Sequence, residues 1–533
     1  MMEESMKKRI ILSGLFLPFL LVLGALSATP TEERYELPPA ERTELMRLEE
    51  AYYVLDHVAE KVWSAWNNYR DFPFLFNFEN GLSVLVEHPN PPEGFELLTD
   101  FRFAGEKIYV DRRNVSSLEL KQPLSAGGGV LPYGTTEDGK SISVVSIDFT
   151  RISPGQKDKD KVKGKDVDKE APPEFKTEDQ ILLYIHELFH CFQEDHVKIE
   201  HGNFRFNPDT EYAVYSEIEG MALDKAYHES NEDKAKEYLK DFLLAREMKR
   251  KGMSKDFQNE ESSDEVREGT AVYAEVRTLE ILKEGFKAGL TSEEDPYYGR
   301  FQEIDSLIKK YVDKLKESSK DTYGTLLQRY SYGCFQALLL QRLFPGWQEP
   351  FSKEACFLDE EIKKRIPVSK EDFANAKKRF KKIYGMKEIK KRHKKAIKAR
   401  DKAYKLITSR KGRSFIISFK GISQFLSPIV SEESYTLGLI YLYPRGVGTI
   451  KVDDIEIVSQ EVPAEINQIY YLKFVDTDWK KRERFYSLKY EEKEGEDIFK
   501  KVVITTPLFT LKAPKVRIRE KGDRIKIWIL SRV

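Results

Sequence analysis

The chain has 533 residues, with 88 Lys and Arg against 89 Asp and Glu, a net charge of −1. That length suits about two to four domains, and the charge balance argues against a dedicated nucleic-acid binder, which carries a basic excess. Hydrophobic residues at 40% and aromatics at 12% exclude wholesale disorder, and three cysteines (Cys191, Cys334, Cys356) are too few for a disulfide-stapled scaffold.

Lys7-Lys8-Arg9 precedes an apolar run from Ile10 to Leu26, and Ala25-Leu26-Ser27 supplies small residues before Ala28. This order predicts a secretory signal over residues 1–28 and an exported chain: extracellular, periplasmic, or held at the outer face of a membrane. The rival reading is an uncleaved anchor, because the run approaches the ~18 residues needed to span a bilayer. Either way the bulk of the chain leaves the cytosol, and association with a membrane or cell envelope is a further expectation.

Residues 29–150 read as an N-terminal helix and a small β region. Leu45, Leu48, Ala51, Tyr52, Leu55, Val58 and Val62 recur at helical spacing over 38–70, and Trp63 and Trp66 extend that face. Lys107–Val110 and Ser141–Asp148 read as strands. Residues 151–176 form a charged loop, and Asn114-Val115-Ser116 is a glycosylation sequon.

Residues 177–410 are mainly helical, with periodic segments at 177–196, 211–230, 232–250, 264–284, 298–317 and 323–343 and loops near 253–263 and 290–297. Residues 369–406 form one or two very basic helices, with fifteen Lys or Arg against two acidic residues from Lys377 to Lys405. Residues 411–533 carry many short strands, which predict a β-sandwich or barrel.

The chemistry concentrates at His186-Glu187-Leu-Phe-His190. Residues four apart share a helix face, so His186 and His190 can turn both imidazoles to one ion, with Glu187 beside them as a general base. Zinc suits imidazole nitrogen and brings a water towards a neutral pKa. The flanks 183–192 carry no other charge, as a helix crossing a core requires, and Thr177 with Gln180 is spaced as a capping box. Cys191 follows His190 and points off the metal face, into packing.

A catalytic zinc needs a third protein ligand. His196 lies ten residues after His186, but the metzincin pattern needs Gly where this chain has Gln193. Glu219 and Glu268 each begin a Glu-Gly-x-Ala segment, whose small residues let two helix backbones approach closely. Spacing does not choose between them. No serine-triad, P-loop or Rossmann fingerprint is present.

His186-Glu187-x-x-His190 with the later Glu268-Gly-Thr-Ala-Val-Tyr273 resembles the gluzincins, zinc peptidases whose third ligand is Glu. Glu268 is the fuller match, since Glu219 lacks the Tyr five residues on. Aminopeptidase-N-like members place a Tyr downstream to steady the oxyanion, which implies Tyr330 or Tyr332 here. The losing carboxylate is expected to orient a ligand imidazole. The Trp63-x-x-Trp66 and Pro345-Gly346-Trp347 blocks are similar to secreted bacterial zincin-like proteins. The matched motifs cover about residues 177–347, and no Gly-x-Met-Glu-Asn-like exopeptidase segment accompanies them.

The resemblance implies an α+β multidomain protein: a mainly helical zincin-like catalytic domain after a small sheet, then a C-terminal all-β, sandwich-like domain. It implies an edge strand in the small sheet for an extended substrate. The function expected is an exported metallopeptidase holding one Zn2+ per chain and acting on a peptide or protein. The alternative is a catalytically inactive zincin-like scaffold serving as an envelope binding module, and a third option is the same site acting on a non-peptide bond.

Overall fold

The computed structural model describes residues 37–78, 80–98, 107–113, 128–136, 140–149, 176–197, 209–285, 295, 297–318, 326–353, 356–409, 412–418, 435–437, 440–443, 449–452, 455–459, 464–467, 471–476 and 486–530. The expected signal at 1–28, the sequon and nearly all of the 151–176 loop lie outside them. Among the described residues are ten α-helices and two mixed sheets, an α+β protein, and no helix is long and apolar enough to cross a membrane.

α1 (Pro39–Val62) begins on Pro at its first turn, where a missing N–H costs nothing. It ends sooner than the periodicity predicts: Trp63 turns to extended backbone, and Trp66 lies beyond the helix. Both indoles are nonetheless buried, at 3% and 0% exposure. Trp63 packs tilted against Phe189 at a centroid distance of 5.5 Å and Trp66 edge-on at 5.0 Å, so the Trp pair braces the helix that carries the His-Glu-x-x-His motif.

The first sheet has the order β3-β4-β2-β1-β6-β5, from β1 (Phe74–Asn77), β2 (Ser83–Val86), β3 (Glu96–Leu97), β4 (Ile108–Asp111), β5 (Gly128–Thr135) and β6 (Ser141–Asp148). β1 and β6 run parallel, and β5 returns antiparallel at the edge. Pro132 in β5 fits an edge, where a missing ladder donor is tolerated.

α2 (Thr177–His196) packs against α1, β5 and β6. The capping box expected from Thr177 and Gln180 does not form. The N-cap is Lys176, whose backbone N–H donates to Asp179, and the Thr177 hydroxyl instead donates to Asp295 at 2.7 Å. Arg47 of α1 holds the same Asp295 (2.8 Å), and Tyr184 donates to Glu44 of α1 at 2.6 Å.

α3 (Thr210–His228) and α4 (Glu232–Arg250) start on capping side chains of Asp209 and Asn231. α5 (Lys255–Leu282) starts eleven residues before Val266, and the loop expected at 253–263 is helix from Lys255. No apolar period marks that stretch because its buried face is polar: Glu261 and Ser262 are buried against Lys249 and Arg250, and Ser263 is buried beside them in sequence. α6 (Ile304–Ser318), α7 (Leu326–Leu343) and α8 (Leu358–Arg365) complete the helical part. α5 and α7 cross at Gly269 and Gly333, where an added Cβ on Gly269 would lie 2.3 Å from the Gly333 Cα. The close approach expected of the small residues is met there.

The basic stretch forms two helices, α9 (Lys370–Ile383) and α10 (Met386–Thr408), turned by Gly385 at φ 65°. Beyond them twelve strands, β7 (Arg413–Ser418) to β18 (Arg524–Ile529), join in one mixed sheet. It is one hydrogen-bonded sheet curled over a common core, not two separate sheets: the long β17 (Phe509–Lys521) pairs with β11 (Ile455–Ser459), β16 (Ile498–Thr505) and β18 at once. Phe474 of β13 (Tyr471–Asp476) stacks on Phe509 at 4.9 Å although two strands separate them in the sheet order.

Candidate metal centre

His186 and His190 stand one turn apart on α2, and their Nε2 atoms approach to 3.1 Å. Glu268 projects from α5 so that its Oε2 lies 3.4 Å from His190 Nε2 and 3.9 Å from His186 Nε2. Donor atoms of the three residues all fall within 4.8 Å of one another. Bonds of ~2.0–2.1 Å at tetrahedral angles separate ligand atoms by about 3.4 Å, so the spacing fits one zinc-sized ion.

The outer atoms are fixed by partners. His186 Nδ1 lies 2.6 Å from Glu275 Oε1, and Tyr311 of α6 donates to the same carboxylate. His190 Nδ1 lies 2.7 Å from Gln193 Oε1, while Gln193 Nε2 donates to Thr270 Oγ1 at 2.7 Å and to the Arg267 carbonyl at 2.8 Å. With both Nδ1 atoms donating, neutral imidazoles turn both Nε2 lone pairs towards each other and towards Glu268 Oε2. Three converging acceptors repel unless a proton or a cation sits among them. Arg267 holds the other oxygen, Glu268 Oε1, at 2.8 Å, leaving Oε2 for the centre.

In the ion-free chain the charges rearrange accordingly. Burial alone lowers His186, but the hydrogen bond and charge of Glu275 outweigh it and raise the imidazole from 6.5 to about 9. Burial pushes Glu268 up, yet His190, Arg267 and the Tyr330 hydroxyl hold it at about 2. Glu187 is raised, chiefly by burial, against the opposing pull of the two imidazoles. Its carboxylate makes no hydrogen bond to a described residue, and it is 6% exposed. It is a base with its lone pairs uncommitted.

Of the two tyrosines, Tyr330 reaches the centre. Its ring lies 6.4 Å from that of His186, and its hydroxyl donates to Glu268. Tyr332 does not: it is buried on the other side of α7, its hydroxyl donating to the Ser216 carbonyl and accepting from Gln328 Nε2 at 2.9 Å. The two residues stand about 200° apart around the helix, so they cannot share a face.

Glu219 is also elsewhere, neither at the ion position nor behind a ligand imidazole. It accepts from Lys249 Nζ at 2.6 Å and Arg246 Nε at 3.3 Å, inside a buried ion network. That network includes the bidentate Arg246–Glu265 pair (2.5 and 2.6 Å) and Lys249–Glu261 at 2.8 Å. The orienting role expected of the losing carboxylate belongs to Glu275, which sequence reasoning missed. Its signal was the seven-residue step from Glu268, two turns along one helix face. Gln193 was noticed only as the absence of a metzincin Gly. α2 runs unbroken through it to His196, and its amide steadies His190. Cys191 is fully buried, off the ligand face.

Comparison of the chain with protein-family models, with curated proteins and with solved structures returns no match.

Proposed function

We propose that this protein is a zinc-dependent metallopeptidase of gluzincin type, in which His186, His190 and Glu268 hold one zinc ion. The observation that carries the reading is the convergence of two Nε2 atoms and one carboxylate oxygen beside Glu187, whose carboxylate makes no hydrogen bond to a described residue. Zinc, when bound, supplies the Lewis acidity that activates water and the scissile carbonyl.

The chain's own residues do the rest. Glu187 accepts a proton from the attacking water at its carboxylate and delivers it to the leaving amine; its raised pKa suits both transfers. The Tyr330 hydroxyl, which donates to Glu268 in the ion-free chain, turns its one proton to the oxygen that gains negative charge. Glu275 and Gln193 fix the tautomers of the two imidazoles. The outer edge of β5, beside α2, offers backbone N–H and C=O groups to an extended peptide. Export rests on the apolar run after Lys7-Lys8-Arg9.

The test pairs metal analysis with turnover of a peptide library. The expected result is about one zinc per chain, retained in Glu187→Gln with hydrolysis lost. Full hydrolysis by that variant, or no zinc in protein purified without chelator, overturns the reading.

A further inference from the structure

The chain is neutral overall, yet its positive charge is not evenly spread. Along α10, Lys387, Lys391, Lys394, Lys398, Lys402 and Lys405 are all exposed. At about 100° per residue they fall within an arc of about 80°, a stripe about 27 Å long. None of the six makes an ion pair with a described residue. The ion pairs that α10 does form with α3 come from Lys390 to Glu211 and from Arg392 and His393 to Glu217, outside the stripe. The opposite face, with Ile389, His393, Ile397 and Ala403, is buried. The stripe is therefore not the packing face of the helix.

α9 adds exposed Lys377, Lys378, Lys381 and Lys382 to the same hairpin. Like charges three and four residues apart destabilise a helix by a few tenths of a kcal/mol per pair. Glu388 and Asp401 stand three or four residues from Lys391, Lys398 and Lys405, but among the described residues neither forms an ion pair with them.

We propose that the α9–α10 hairpin is a docking surface for an anionic lipid bilayer, with the α10 lysine stripe laid along the headgroups. A row of cations on a rigid rod matches a planar sheet of negative charge, and each Lys near such a surface adds to the attraction. Two further observations favour lipid over another polyanion. Leu406, about 40° beyond the edge of the stripe at the end of the same helix, is a large aliphatic residue left 44% exposed, the pairing of aliphatic with Lys found at bilayer interfaces. The apolar run Ile10–Leu26, read as an uncleaved anchor, also holds the chain at a membrane. The proposal stands whether or not the metal centre is catalytic.

The experiment is flotation of the full chain with preformed vesicles of neutral phosphatidylcholine, or of phosphatidylcholine with a third phosphatidylglycerol. The four-site variant K391E/K394E/K398E/K402E is compared with a control reversing four exposed cations of the C-terminal sheet, K489E/K521E/R524E/K526E. The wild type and control are expected to favour the anionic vesicles and to lose binding as salt rises. The stripe variant is expected to bind them at least about tenfold less, with an unchanged circular dichroism spectrum. Equal partition of wild type onto both vesicle types, equal loss in stripe and control variants, or release from vesicles by soluble polyanion at low concentration with tighter binding to the polyanion, each overturns the lipid assignment. Should the four-site variant misfold, the neutral K391Q/K394Q/K398Q/K402Q variant replaces it, and full retention of anionic-vesicle binding there overturns the proposal.

Discussion

Gly269 of α5 and Gly333 of α7 meet backbone to backbone, and a Cβ built on Gly333 would lie 2.0 Å from the Glu265 carbonyl oxygen. The contact sits one residue past Glu268 and three past Tyr330, so it sets the distance between carboxylate and hydroxyl. Gly269→Ala or Gly333→Ala must push the helices apart, because the neighbour is backbone and cannot swing away. Each is expected to lower stability by about 1–3 kcal/mol, as overpacking does. Denaturant unfolding reads the loss; an unchanged midpoint in both variants would contradict the close approach.

In the proposed centre, Glu275 would set the pH at which the ion enters. Its pairing raises His186 from 6.5 to about 9, so in the ion-free chain that pair stabilises the fold fully below about 6.5 and the contribution fades as pH rises through about 9. The ion must displace the same proton. Metal affinity is expected to climb with pH, about tenfold per unit, and to level above about pH 9. Glu275→Gln should bring the plateau to lower pH and weaken plateau affinity about 10–100-fold. Chelator-competition titrations across this range check both, and superimposable pH curves for the two proteins would remove Glu275 from the role.

The two tyrosines of α7 separate function from stability. Tyr330→Phe removes the hydroxyl aimed at the centre and is expected to lower kcat by about 10²–10³ while leaving the zinc content unchanged. Tyr332→Phe strips a buried hydroxyl from the Ser216 carbonyl and Gln328 and is expected to cost about 1–3 kcal/mol of stability with kcat intact. Steady-state kinetics beside thermal unfolding would expose a swapped pattern.

How much of this was legible depended on where the signal was local. The His186–His190 pair and the α2 boundaries follow from one helical segment, and the sequence places them directly. The close helix crossing followed from the small residue after Glu268. The partners of the imidazoles were harder to see: Gln193 and Glu275 are ordinary polar helix residues until tertiary packing aims them. The first turns of α5 were misread as loop for a related reason. Hydrophobic periodicity detects apolar burial, and Glu261, Glu265 and Ser262 are buried by charge and hydrogen bonds instead. The curled C-terminal sheet escaped because strand pairing is non-local, and alternation alone does not say which strand β17 will share.

The third ligand turns on that same buried network. Glu219 and Glu268 both precede Gly on a helix, but Glu219 faces Lys249 and Arg246 while Glu268 faces the two Nε2 atoms. Glu219→Ala leaves Lys249, itself fully buried, with Glu261 as its remaining carboxylate. Removing one partner from a buried ion pair costs about 3–5 kcal/mol, and the surviving Glu261 contact places the expected loss near the lower figure. Zinc content should stay at wild-type level in whatever fraction remains folded. Glu268→Ala is expected to lose zinc outright, and its ion-free chain to unfold at a somewhat lower denaturant concentration, because the carboxylate it removes is held ionised by His190, Arg267 and the Tyr330 hydroxyl. Metal analysis and chelator-treated unfolding on the two variants measure both quantities. A Glu219→Ala protein that unfolds normally but no longer retains zinc would transfer the ligand role to Glu219 and undo the geometry argued from α5.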